Sequence, residues 1–535
     1  MTEGSGTLPA MLDACVRAHG DREALVSGRG RVRYRELAVL ADRLAGALAA
    51  RGVARGTHVG LLLPNWPEWL AIAFAVWRCG GVLVPLNTLY RPRELGHALS
   101  LGAVSVLIAA RGFLRHDYVA GLRDLGILPH DAGGSRVTAD AFPALRDVVL
   151  LDPALPLDLS PLLGGATSDP GVGALPDDPA TILFTSGSTA APRGVVHTQA
   201  SLRLTADGNA AVLGITPEDR TWGYLPFFFA GGLVAVALAT LSRGAAVVVQ
   251  DVFEPGETLR LLEAERVTVF FAWPHQAEAL IAHPSFRATR LRLCKGVGAN
   301  TKWAAALYPP GHHAVGSYGM TETPPLCAAW PWDAPIAQRT GSHGRPVGRR
   351  ELRIVDPESG SPLATGLDGE ICVRGPEVLA GYVGEPAGAC RDAEGWFRTG
   401  DLGHLDADGA LHFVGRLKDV IKTAGANVAA AEVEAVLLEH PAVAAAHAVG
   451  VPHPTRGEEV VAFVVLKADV TESALVDHCR AALASYKVPR RVWVRAEREL
   501  PVKGSGKVDK TALRIEAERL TAAGGPRGGP VGAPA

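Results

Sequence analysis

The chain has 535 residues, enough for several domains, and its 48% hydrophobic and 20% charged content is that of a folded protein. A net charge of −2 gives no basic footprint for nucleic acid and no polybasic patch for a membrane surface. Seven scattered cysteines without a Cys-x-x-Cys pair argue for reduced thiols over a disulfide framework or a zinc site. No basic-then-apolar leader opens the sequence, and the longest apolar run, Leu233 to Leu241, is too short to span a bilayer. A cytoplasmic protein with no membrane span and no nucleic-acid partner is expected.

Apolar residues at Leu37, Leu40, Ala41, Leu44, Ala45 and Leu48 recur at helical spacing and predict a helix over Tyr34 to Arg51. Short apolar runs at Val59 to Leu63, Val82 to Pro85 and Val104 to Ala109 read as buried strands, with a helix at Arg93 to Leu101. The apolar stretch Trp66 to Trp77 ends at Gly80-Gly81. Strands alternating with helices predict parallel sheet in α/β layers. Asp117 to Leu175, rich in Gly, Pro and Asp, is expected to be a loop-rich connection.

The alternation resumes at Thr181 and leads into FTSGSTAAPRGV, Phe184 to Val195. Thr185, Ser186, Gly187, Ser188 and Thr189 are small or hydroxylated, so hydroxyls and backbone N–H groups can meet phosphate oxygens there, with Arg193 as a fixed cation. The segment is not a Walker-type loop, because the Gly-Lys-Ser/Thr ending is missing. A helix is expected over Ser201 to Leu213, and strands over Ala245 to Val249 and Val267 to Ala272.

From Pro346 to Gly415, short β-like runs (Glu351 to Val355, Glu370 to Val373, Leu411 to Val414) suggest a small β-rich subdomain. After Lys418, a helix at Ala431 to Glu439, strands at Val443 to Val449 and Glu459 to Leu466, and a helix from Glu472 suggest an α+β domain ending near Leu520. The Gly/Pro/Ala-rich tail, residues 521–535, reads as disordered.

Five segments in order resemble the adenylate-forming superfamily of acyl- and aryl-CoA synthetases, nonribosomal adenylation domains and luciferases, in particular its acyl-CoA synthetases. They are FTSGSTAAPRGV, SYGMTE (Ser317 to Glu322), GWFRTGDLG (Gly395 to Gly403), GRLKDVIKTAGANV (Gly415 to Val428) and LPVKGSGKVDK (Leu500 to Lys510). The resemblance covers about residues 8 to 520. It implies a large N-terminal α/β domain, residues 1–415, with parallel sheets and a β-rich subdomain at about 346–415. A small mobile α+β domain, 416–520, would follow a hinge at 415–418.

It also implies a chemistry: a carboxylate joined to the α-phosphate of ATP with loss of pyrophosphate, then acyl transfer to CoA. ATP, Mg2+ and CoA are the implied cofactors. Thr185 to Thr189 and Arg193 would cradle the β- and γ-phosphates, and Glu322 would hold Mg2+, a hard cation that takes oxygen ligands. Tyr318, Gly319 and Thr321 would line the nucleotide, and Asp401 and Arg416 would meet the ribose. Lys507 would bridge the carboxylate and α-phosphate oxygens. Lys418 belongs to the hinge, and Lys422 and Gly425 to the loop that shapes a pantetheine tunnel after the small domain rotates. Phe229, Trp273, Val297, Gly298 and Met320 would line the acid pocket, with Phe227 as a further wall.

The chain departs from the family pattern at Ala190 for glycine, Arg193 for lysine, Phe229 for a histidine and Val297 for a glycine. Phe229 would remove a polar contact and add an aromatic wall, and Val297 would narrow the pocket, which points to a small-to-medium, aromatic or branched acid. A carrier protein or another nucleophile as acceptor, a non-carboxylate oxyanion such as nitrite, and a silent adenylate-binding protein stay open beside the acid–CoA ligase.

Overall fold

The computed structural model describes residues 6–129, 141–154, 159–185, 193–297, 303–308, 313–386, 388–423, 426–454, 456–483, 485–503 and 507–522. Among these the chain forms two compact units. The first takes in Met1–Thr185, Pro192–Leu352 and Val373–Phe397; the second takes in Arg353–Cys372 and Arg398–Ala535.

Two seven-stranded sheets build the first unit. One runs, edge to edge, through His313–Val315, Lys295–Val297, Val269–Phe270, Arg220–Gly223, Ala246–Val249, Glu23–Ser27 and Gly30–Arg33, and is parallel up to its last hairpin. The other runs through Gly381–Tyr382, Arg193–Thr198, Pro179–Thr185, Val82–Pro85, His58–Leu62, Val106–Ala110 and Asp147–Leu151. Its five strands from Pro179–Thr185 onward are parallel. Strands such as VLIAA at Val106–Ala110 are buried at every position, so they read as continuous apolar runs rather than alternating ones.

The helix Pro67–Arg78 is buried from Pro67 through Trp77 and touches both Val82–Pro85 of one sheet and Glu23–Ser27 of the other. A helix that is apolar all round must be enclosed on every side. Trp69, Phe74 and Trp77 are each fully buried, worth about 2–3 kcal/mol apiece as apolar area removed from water. The indole of Trp77 donates to the carbonyl of Ala180 at 2.9 Å, which ties this helix to the strand that leads into the phosphate-loop segment. The neighbouring helix Tyr34–Ala50 presents Leu37, Ala41, Leu44 and Leu48 to the same core.

The expected loop-rich connection from Asp117 to Leu175 is corrected by three elements. The helices Tyr118–Asp124 and Ser160–Leu163 lie within it, and Asp147–Leu151 is an edge strand parallel to Val106–Ala110. The five-residue run DVVLL is short and flanked by turn-formers, so only its pairing reveals it. The strand expected over Val267 to Ala272 is confined to Val269–Phe270, since Val267 still donates to Leu262 at the preceding helix end and Trp273 already precedes a helix. Leu233 to Leu241 lies in a buried π-helical segment, Gly231–Leu238, continued by Ala239–Leu241.

The second unit contains most of a four-stranded sheet, Glu351–Val355, Gly369–Arg374, Phe397–Leu405 and Leu411–Arg416. A five-stranded sheet follows: Ala426–Ala429, Val420–Thr423, Gly457–Leu466, Val443–His453 and, parallel to Gly457–Leu466, Val492–Val494. Val433 and Leu437 of the helix Ala430–Glu439 and Leu475 and Cys479 of Glu472–Ala482 share a core with Val460, Ala462 and Val464. Leu513 and Ala517 of the last helix, Lys510–Ala522, share a second core with Val461 and Phe463, residues of opposite parity on that strand.

Candidate active site

The phosphate-loop segment joins two antiparallel strands of the first unit. Thr185 ends the strand Pro179–Thr185 and pairs with Arg193, the first residue of Arg193–Thr198. Ser186, Gly187, Ser188, Thr189 and Ala190 lie outside the described residues. The next strand of the sheet, Gly381–Tyr382, pairs with Val195 and Val196. Arg193 is half-exposed, and its guanidinium meets Glu385 at 2.6 Å and the face of Tyr382 at 3.4 Å from the ring centroid.

The segment Ser317 to Glu322 is held from two sides. The amide of Leu379 donates to the carbonyl of Glu322 at 2.8 Å, and Nε2 of His197 lies 2.8 Å from the carbonyl oxygen of Thr321. A carbonyl only accepts, so Nε2 carries the hydrogen and Nδ1 is bare. Nδ1 is buried and has no hydrogen-bond partner among the described residues. Burial, aided by the charges of Arg350 and Arg391 and opposed by the Thr321 bond, pushes the imidazole down to about 4. His197 is therefore a neutral strut beneath the motif.

Glu322 is 8% exposed, and Oε1 accepts from the hydroxyl of Tyr382 at 3.1 Å. Burial first, and then the carboxylate of Glu322, hold the Tyr382 phenol well above its ordinary range, so it remains a donor. Tyr318 is buried, Met320 and Thr321 are half-buried, and Gly319 is exposed. A Cβ on Gly319 would stand 3.1 Å from both the amide of Leu326 and the Cα of Pro325, a close backbone approach that favours glycine in this turn.

Among the acid-pocket candidates, Phe229 is half-buried, with its ring 4.6 Å from that of Phe228. Val297 is half-buried at the end of Lys295–Val297, and Trp273 is 40% exposed and stacked on His275. Gly298 lies outside the described residues. Phe227 is a correction: it is fully buried and packs edge-on against Trp69 at 5.4 Å, so it belongs to the core and not to a pocket wall.

In the second unit Asp401 and Arg416 are register partners, with Nε of Arg416 2.9 Å from Oδ1 of Asp401. Asp401 is 1% exposed, and its amide donates to Oγ1 of Thr399. Lys418 sits on the 3-10 turn Leu417–Asp419. Partial burial lowers its ammonium, against the pull of Asp419 and with help from Lys503 and Arg416. Lys422 lies on the strand Val420–Thr423, and Gly425 is outside the described residues. Lys507 is exposed, and its carbonyl accepts from the amide of Lys503 in the turn closed by the bridge between Val502 and Val508.

Among the described residues no group of three His, Cys, Asp or Glu could hold a metal by itself, and no helix is long and apolar enough to cross a membrane. A magnesium ion carried by a nucleotide needs only one or two protein carboxylates besides phosphate and water. The buried carboxylate of Glu322 fits that requirement.

Tyr382, Glu385 and His197 were not marked by sequence reasoning. A Gly-Tyr pair after a loop has no periodic signal. His197 did have one, because it falls at the buried phase of Arg193–Thr198, where a polar residue is out of place.

Residues 12–383 match the family described as AMP-binding enzyme, and residues 432–507 match its C-terminal domain. A feruloyl-CoA synthase from Amycolatopsis sp is 36% identical over 492 residues, covering 90% of this chain and 93% of that protein. An oxalate–CoA ligase of Arabidopsis thaliana is 32% identical over 524 residues, 95% of this chain and 98% of the relative. ATP-bound MatB from Rhodopseudomonas palustris superposes with a TM-score of 0.82 at 28% identity, over 96% of this chain and 99% of that one. The anthranilate CoA ligase AuaEII in complex with anthranoyl-AMP gives 0.82 at 25% identity, over 97% and 99%. The chain thus belongs to the AMP-binding, adenylate-forming enzymes, as an acid–CoA ligase of the AMP-forming kind.

Proposed function

We propose that this ligase activates a small-to-medium carboxylic acid, aromatic or branched, and passes it to CoA. The observation that carries the substrate class is the aromatic pair Phe228 and Phe229, with Phe229 half-buried at a position where the resemblance leads one to expect histidine. Val297 in place of glycine adds bulk at a strand end. Named relatives that act on ferulate and anthranilate support an aromatic acid.

In the first step a carboxylate oxygen attacks the α-phosphorus of ATP, and pyrophosphate leaves. Catalysis here is mainly positioning and charge stabilisation. Thr185 and the hydroxylated residues after it, with Arg193, take the β- and γ-phosphates. Glu322 would hold the magnesium, which when bound would neutralise phosphate charge. Tyr318, Gly319 and Thr321 line the nucleotide, Asp401 and Arg416 take the ribose hydroxyls, and Lys507 spans the carboxylate and α-phosphate. In the second step the CoA thiolate attacks the acyl carbonyl and AMP leaves. Domains at 1–415 and 416–520, hinged at 415–418, would exchange Lys507 for the Lys422 to Val428 loop between steps. The free cysteines fit a cytoplasmic setting.

The test is a panel of acids, including nitrite, with ATP and magnesium, each with and without CoA, and products identified by mass. An aromatic or branched acyl-CoA is expected. Turnover confined to long fatty acids or to nitrite contradicts the proposal. Activated acid that CoA does not consume moves the acceptor to a carrier protein or another nucleophile.

A further inference from the structure

Tyr382 lies outside every motif quoted above, yet it touches both charged groups at this end of the sheet. Val195 is its register partner, so Arg193, two residues along the same strand, is its diagonal neighbour on one sheet face. The ring thereby comes under the guanidinium of Arg193, 3.4 Å from the centroid, while the hydroxyl reaches Oε1 of Glu322 at 3.1 Å. Glu385, three residues on, holds the outer Nη2 of Arg193 at 2.6 Å. A planar guanidinium can lie on an aromatic face and still fork toward an anion, whereas an ammonium is a compact point charge.

We infer that Tyr382 is a positioning residue for adenylation: its hydroxyl fixes the Glu322 carboxylate and its ring seats Arg193, so the metal-holding and phosphate-meeting groups keep a set spacing. This rests on the adenylation roles proposed above for those two residues. It also accounts for arginine at a position where the resemblance leads one to expect lysine, since the seat is shaped for a flat cation and the Glu385 carboxylate keeps that cation in place until phosphate competes for it.

The experiment is calorimetric titration of the full-length protein with magnesium–ATP and with metal-free ATP in a chelator, together with pyrophosphate release and Tm. Three variants are compared with wild type: Tyr382→Phe, Tyr382→Leu and Arg193→Lys. Tyr382→Phe keeps the ring and is expected to weaken magnesium–ATP about tenfold, the worth of one hydrogen bond to a charged group, with metal-free ATP unchanged. Tyr382→Leu and Arg193→Lys are expected to weaken metal-free ATP as well. If Tyr382→Phe binds magnesium–ATP as wild type does, or loses both forms equally with a fallen Tm, Tyr382 is packing alone and the inference is overturned. A wild-type protein that binds ATP but releases pyrophosphate with no acid would sink the adenylation reading instead.

Discussion

Asp401 and Arg416 stand opposite each other on adjacent antiparallel strands, the guanidinium Nε 2.9 Å from a carboxylate oxygen that water barely reaches. A buried carboxylate held by a guanidinium has a fixed direction, which suits an acceptor for two neighbouring hydroxyls. Asp401→Asn keeps the shape and removes the charge. It is expected to raise KM for ATP about tenfold while KM for the acid stays put, as loss of a charged hydrogen bond would. Steady-state pyrophosphate release checks it. An unchanged KM for ATP with a lowered Tm would make the pair a strut only.

His197 predicts an acid sensitivity. Its folded pKa of about 4 is below the unfolded value near 6.5, so the unfolded chain binds the extra proton first. Stability from this group is fully present above about pH 6.5 and is lost as pH falls toward about 4, on the order of 3 kcal/mol in all. His197→Gln, whose amide can still donate to Thr321, is expected to flatten the fall of Tm across that window. A wild-type Tm that is level from pH 6.5 to 4 would show that the ring is not held neutral.

The role proposed for Lys507 predicts that the two half-reactions can be separated. Lys507→Ala is expected to cut pyrophosphate release by about 100-fold, the usual scale for a charge aimed at a transition state. Conversion of a supplied acyl-adenylate and CoA to thioester should survive. Undiminished pyrophosphate release would remove Lys507 from the adenylation step.

Lys418→Pro stiffens the turn Leu417–Asp419 and disfavours the helical conformation at Leu417. Pyrophosphate release is expected to persist while thioester formation slows, measured separately on the same preparation. Equal rates for both steps would remove the hinge from the account.

Much of the architecture was legible in the sequence because it rests on local pattern. Val82 to Pro85 and Glu351 to Val355 matched their strands in full, and Tyr34 to Arg51 matched its helix to one residue. Asp147–Leu151 was hidden because its only distinguishing property is a partner strand far away in sequence. Motif residues such as Glu322 and Asp401 could be marked from sequence order. Their supports could not, because Tyr382 reaches Glu322 across 60 residues and His197 reaches Thr321 across 124. Phe227 was misplaced for a related reason: in the run Phe227 to Phe229 no local signal separates the ring that enters the core from the ring that stays half-open.

The most direct measurement is a single-turnover experiment on wild-type protein with ATP, magnesium and one accepted acid, before and after CoA is added. Stoichiometric pyrophosphate and enzyme-bound acyl-AMP are expected in the absence of CoA, followed by AMP and acyl-CoA once CoA enters. Pyrophosphate that appears only after CoA is added, or ADP and phosphate as the products, would contradict an acyl-adenylate on the path.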